Sequence, residues 1–220
     1  MELLGIALRG LKGNSGWIVW NLFLAFIPLV LSFWLFRRKT RSRSFLWWTV
    51  LLVFIAFLPN APYLLTDIIH LIRAIRMGYS AWVITLIVIP THLLAIVSGF
   101  EAYVISVINQ SHYLKRQGAG RFVLAAELMT HALSAIGIYM GRFRRFNSWD
   151  LVSDPGNVIL VTLDDLTAKG PILVILITFV GLTVLYWVAK QVTLGVVLRI
   201  RSTQLGRVLG LEPIQKLPLD

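Results

Sequence analysis

Five apolar runs, each followed by a polar or basic stretch, set the pattern of this chain. The first extends from Trp17 to Phe36 and stops at Arg37, Arg38, Lys39, Arg41 and Arg43. A helix needs about 20 residues to cross a hydrocarbon core, so this run is long enough to span one. The second run covers 45–65 and is apolar without interruption only to Leu58, where Pro59-Asn60-Ala61-Pro62 follows. Proline removes a backbone donor and disfavours helical angles in the residue before it, so the tetrapeptide predicts a broken helix. A break near membrane depth requires protein or water to satisfy the freed backbone groups. The remaining runs are 81–107, interrupted by Pro90, then 122–140 and 171–189. The pattern predicts an all-α fold: a polytopic transmembrane helix bundle of about five spans, forming a single integral membrane domain over 1–220.

The connecting stretches have their own signals. Residues 1–13 mix leucines with Arg9 and Lys12 and suit a short interfacial helix. Asn109–Arg121 reads as a polar loop. Asp154-Pro155 combines an N-cap acid with proline at the first helical position, and predicts a short amphipathic helix on the membrane surface. The tail, 190–220, reads as a basic interfacial or cytoplasmic helix.

Composition agrees with this pattern. Hydrophobic residues make up 57% of the 220 and charged residues 14%, with a mean hydropathy of +0.77. A soluble domain carries about 25% charge, too much for this chain to match. The absence of cysteine excludes disulfides, thiolate zinc sites and thiol nucleophiles. The net charge of +11 comes from residues placed mainly between spans, which points to topology and anionic lipid and away from nucleic acid. Thirteen of the 21 Lys and Arg fall after span one, between spans three and four, and in the tail. Basic residues are retained in the cytoplasm, so the bias predicts an N-out, C-in orientation.

In that orientation the interrupted helix and the end of span four meet at the outer face. Asp67 and His70, three residues apart, share a helix face. Arg142, Arg145, Asn147, Trp149 and Asp150 fall nearby, with Asn60 in the interruption itself. Asp67, His70 and Asp150 are candidate metal ligands or acid–base groups. The arginines, with Asn60, Asn147 and Trp149, are candidates to hold a phosphate or carboxylate head group. Equally, Arg and Trp here can be interfacial anchors, and Asp67 can pair with an arginine. Deeper in the bundle, His92 and His131 each follow a threonine near mid-span, and can bind a metal, a haem iron or a proton, or simply hydrogen-bond between helices. Glu101 and Glu127 can pair with Lys115, Arg116 or Arg121. Gly137 and Gly141 allow close helix approach.

Two blocks, Leu58-Pro59-Asn60-Ala61-Pro62-Tyr63-Leu64-Leu65-Thr66-Asp67-Ile68-Ile69-His70-Leu71 and Gly137-Ile138-Tyr139-Met140-Gly141-Arg142-Phe143-Arg144-Arg145-Phe146-Asn147-Ser148-Trp149-Asp150, resemble DUF1361. Met140 and Phe146 are mild departures from its leucine and tryptophan. The resemblance covers most of the chain from span two to span five. It implies a bacterial multi-spanning protein of the inner (cytoplasmic) membrane whose outer motifs define the family, and it brings no activity, substrate or cofactor. Small size and absent catalytic signatures favour a structural, assembly or accessory subunit, with membrane lipids and a protein partner or second copy as partners. The alternative is a membrane-embedded enzyme or binder acting on a lipid-linked or phosphate-bearing substrate at the outer interface. A transporter component ranks third.

Overall fold

Without water to bond, a backbone in a bilayer keeps its hydrogen bonds internal, and helix is the only regular structure among the described residues. The computed structural model describes the backbone of residues 2–38 and 43–203, with side chains from residue 16 onward. Among them, five helical stretches are long and apolar enough to cross a membrane: Gly16–Phe36, Phe45–Ile75, Ala81–Arg116, Gly120–Arg144 and Lys169–Ser202. The chain is an integral membrane protein.

Span one belongs to α1 (Glu2–Phe36), a single helix. The interfacial helix expected at 1–13 is not separate: α1 runs through Gly13-Asn14-Ser15-Gly16 without a break. Span two begins as α2 (Phe45–Phe57), started by Ser44, whose side chain accepts from the Trp47 amide. It is interrupted where the prolines fall, but more tightly than they lead one to expect. A short α3 (Asn60–Tyr63), a 3₁₀ turn at Leu64–Asp67 and α4 (Ile68–Ile75) follow directly. Leu58, Pro59 and Leu64 all hold right-handed helical angles. Local donors replace the missing ones. The Ala61 amide bonds to Leu58 O at 3.2 Å and that of Tyr63 to Pro59 O at 3.0 Å, while Asn60 Nδ2 donates to Phe57 O at 2.9 Å.

Span three consists of α5 (Ala81–Val83), a wide π turn over Ile84–Val88 and α6 (Ile89–Arg116). The wide turn sits immediately before Pro90, where it gives the ring room. Asn109–Arg121, expected as a polar loop, is helical to Arg116. Asn109 and Ser111 are buried and satisfied within the protein, so polarity there marks an interior face. Gly118, at φ +76°, makes the turn into α7 (Val123–Tyr139), which ends in a second π turn at Met140–Arg144. Short α8 (Asp150–Ser153) and α9 (Pro155–Thr167) precede α10 (Lys169–Ser202). The predicted N-cap is present, with Asp154 Oδ1 accepting from the Asn157 amide. Residues 190–202, read as the start of a separate tail, continue span five without a break. The rest of that tail, with Lys39 and Arg41, lies outside the described residues.

The interrupted segment is the centre of the packing. α1 packs on α6, α2 and α3, and α3 also touches α6 and α7. Ala61 and Leu64 are fully buried. Three glycines receive the segment: a Cβ on Gly99 would lie 2.9 Å from Leu64 Cδ2, one on Gly137 2.6 Å from Pro59 Cβ and Cγ, and one on Gly141 3.2 Å from Tyr63 Cε2. The pattern at Gly137 and Gly141 thus admits a proline and a tyrosine.

Candidate functional site

The interrupted segment forms a wedge against α6 and α7, and the 3₁₀ turn at its end aims Asp67 into the bundle, where it is 1% exposed. A buried carboxylate is tolerated only when paired and hydrogen-bonded. Arg142 Nη2 donates to Oδ1 at 2.8 Å and Asn21 Nδ2 donates to Oδ2 at 2.9 Å. Arg142 also donates to Thr66 Oγ1 from Nε at 3.1 Å and from Nη2, and its guanidinium lies 4.5 Å from the centre of the Tyr63 ring. Thr66 in turn donates to Tyr63 O. The two motif blocks are therefore joined by a charged lock, with α1 supplying Asn21.

His70 lies beside this lock without completing it. Its Nε2 is 3.8 Å from Asp67 Oδ1, too long for a hydrogen bond, and its ring stacks on Trp17 with centroids 4.4 Å apart. Asp150 does not join Asp67. Its Oδ2 accepts from the Asn147 amide at 2.6 Å and closes its own loop. Among the described residues no three His, Asp or Glu groups come together as a metal site. His92 and His131 do not face each other. His92 Nδ1 bonds to Val88 O at 2.8 Å beside Trp17, and Nε2 is buried with no partner among the described residues. His131 Nδ1 meets Tyr103 OH at 2.5 Å, and its ring packs on Tyr186.

His131 belongs to a second polar cluster, at the opposite end of α7 from Arg142. Glu127 Oε1 accepts from Lys190 Nζ at 2.5 Å, Ser111 Oγ at 2.7 Å and Tyr186 OH at 2.9 Å. Glu101 Oε2 accepts from Thr193 Oγ1 at 2.9 Å. The expected partners Lys115, Arg116 and Arg121 give way to Tyr186, Lys190 and Thr193 of α10, which packs on both α6 and α7.

Between α1, α2, α3, α7 and the α8–α9 segment lies a cavity of about 650 Å³. Its walls are mostly apolar: Leu24, Ile55, Ile136, Met140, Val158 and Leu163. Both motif blocks line it. Pro59, Asn60 and Tyr63 come from the first, and Gly137, Gly141, Arg145, Asn147 and Ser148 from the second. Asn60 Nδ2 donates to Ser148 Oγ at 2.8 Å, which gathers the polar groups at one place. Arg145 is in the left-handed region, φ 61°, and this reversal turns Phe146, Asn147 and Ser148 back over the cavity. Of the sequence candidates, Asn60, Arg145 and Asn147 meet here. Arg142 is engaged by Asp67, and Trp149 is absent from the lining and 44% exposed.

Arg144 holds the outer wall. It donates to both oxygens of buried Asp165 on α9, at 2.8 and 2.5 Å. This hydrogen-bonded pairing holds the Asp165 carboxyl below its ordinary value, against the opposing effect of burial. A depressed carboxylate contributes stability that is fully present above the ordinary carboxylate range and is lost as pH falls through the folded-state value. Amide exchange in α9, corrected for intrinsic rate, is therefore expected to rise selectively on acidification below about pH 4. Asp165→Asn should reproduce that rise at neutral pH. Equal protection in both proteins at both pH values would remove the pair from this role.

Sequence reasoning missed Asn21, Thr66, Tyr186, Lys190 and Asp165 as partners. Asn21 alone left a signal, being with Ser32 one of two polar side chains between Trp17 and Phe36. No curated protein and no solved structure matches this chain. A family model described as "Protein of unknown function (DUF1361)" matches residues 20–184. That match takes in the lock, the glycine-lined wedge and every residue of the cavity lining, and the chain belongs to DUF1361.

Proposed function

We propose that this protein is a membrane-embedded binder, which holds a lipid-like amphiphile in the cavity between its two motif blocks and does not transform it. One observation carries this reading: both blocks, 66 or more residues apart in the chain, supply the walls of one largely apolar cavity. A volume near 650 Å³ falls within the range of small-molecule sites, and a few clustered polar groups on an apolar lining are what such a site requires. The candidate acid–base groups support binding over catalysis, since Asp67 is matched by Arg142 and Asp150 by its own loop. In the N-out, C-in arrangement inferred from the basic residues, the cavity opens at the outer leaflet of an inner membrane.

The test is to fill the cavity. Ala56 lines it, whereas Val53, one turn earlier on α2, is exposed and does not. Ala56→Phe is expected to weaken binding of a fluorescent fatty chain by about tenfold or more, the loss of about 1.4 kcal/mol. It should also remove lipid that co-purifies in mild detergent, while Val53→Phe leaves both unchanged. Undiminished binding by Ala56→Phe would sink the proposal. The second reading, an accessory subunit of a membrane complex, is favoured by the internal pairing of Asp67, Glu127 and Asp165, which makes the polar clusters structural. A lone monomer in mild detergent, with no co-purifying protein, counts against it.

A further inference from the structure

Arg145 is the one charged residue on the cavity lining, and no carboxylate accompanies it there. Among the described residues its side chain has no ion-pair partner, although the neighbouring Arg142 and Arg144 are each committed to an aspartate. Its backbone is in a conformation that a side chain other than glycine adopts at some cost. Asn147 makes no side-chain hydrogen bond among the described residues, and Ser148, which accepts from Asn60, keeps its own proton to donate. The polar part of the cavity thus presents donors around a single positive charge, against walls of low polarity. Arg145 and Asn147 are exposed at this polar end of the cavity, open to an incoming head group, and a planar guanidinium with adjacent donors suits an oxyanion.

From this, and resting on the binding reading above, we infer that the cavity takes a single-chain amphiphile whose head group carries one negative charge, with Arg145 as its counter-ion. One cation balances one anion. A pyrophosphate or a fully ionised phosphate monoester would leave negative charge uncompensated, and no three His, Asp or Glu groups are gathered among the described residues to bring in a metal. The cavity volume is that of one small ligand, which sets the tail at a single chain.

The full-length protein in neutral maltoside micelles tests this with three competitors that each carry one hydrocarbon chain of the same length. They are a lysophosphatidylglycerol, a neutral monoacylglycerol and a monoalkyl phosphate, each displacing a fluorescent neutral chain. The lysophosphatidylglycerol is expected to compete at a concentration at least about tenfold below the monoacylglycerol, the scale of a charge-assisted hydrogen bond. Arg145→Gly removes the charge and relieves the backbone, so it should abolish that preference without lowering the thermal midpoint. Arg145→Lys should keep part of the preference. Equal competition by the charged and neutral lipids in the unaltered protein overturns the inference while leaving the cavity reading intact. A preference that survives Arg145→Gly, or a monoalkyl phosphate that competes best, also overturns it. If no chain binds at all, both readings fall.

Discussion

Arg142→Leu is expected to cost the folded bundle about 3–5 kcal/mol, the largest effect of any single side chain in the lock. The substitution leaves the Asp67 carboxylate 1% exposed, with only Asn21 as a strong donor. It also strips Thr66 and the Tyr63 ring of the group that ties them to span four. The pair itself contributes far less than this figure, because desolvating both charges offsets most of their attraction. Asp67→Leu combined with Arg142→Leu should therefore recover much of the loss, and a double-mutant cycle on reversible unfolding in mixed micelles measures it. If Arg142→Leu unfolds at the same denaturant concentration as the unaltered protein, the lock is not structural. If the double variant is as unstable as the sum of the two single ones, the residues act independently.

The second large effect is expected at Gly137. Alanine in place of glycine inside a helix ordinarily gains about 1 kcal/mol. Here the new Cβ would stand 2.6 Å from two atoms of the Pro59 ring. The ring cannot rotate aside, and the wedge behind it is held by Gly99. Overpacking of this kind costs about 1–3 kcal/mol, so Gly137→Ala should be a net loss and Gly137→Leu a larger one, at the upper end of that range or beyond. Gly141→Ala meets the edge of the Tyr63 ring at 3.2 Å and Phe146 O at 3.6 Å, and Gly156→Ala meets nothing within 4 Å. The expected order of thermal midpoints is Gly156→Ala highest, then Gly141→Ala, Gly137→Ala and Gly137→Leu. A Gly137→Ala protein as stable as Gly156→Ala would show that the two spans do not approach as closely as described.

The spans were legible because hydropathy is a property of each residue in turn, and a bilayer imposes it on long unbroken stretches. The interruption after Leu58 was legible for the same reason, since a proline announces its own missing donor. Its shape was not. Whether two prolines unwind a helix or merely tighten it depends on donors such as the Asn60 side chain, which reaches Phe57 O only once the turn has formed. The helical course of 109–116 was hidden because Asn109 and Ser111 look solvated in one dimension. Their partners, Ser32 and Glu127, are 77 and 16 residues away. Glu127 finds Lys190 at a separation of 63 residues, a pairing that no local pattern encodes. Within the candidate site, Asp67 was visible as an acid in an apolar stretch, and the arginine block as a cluster. Which arginine serves Asp67, which serves Asp165 and which stays with the cavity is decided by the π turn and the left-handed residue after it.

The lock between Asp67 and Arg142 also imposes an order of events on synthesis. The two residues are 75 positions apart. At about 5–20 residues per second the ribosome makes Arg142 some 4–15 s after Asp67. Asp67 thus reaches the membrane well before its counter-charge exists, and in that interval an acid without its partner is kept at the water-facing edge or beside another polar group. Asn21 is already present, made 46 positions earlier, and offers the carboxyl group an interim partner. Gly137 and Gly141, which receive Pro59 and Tyr63, arrive only moments ahead of Arg142. Span two is therefore inserted early and seated late, only when the end of span four emerges.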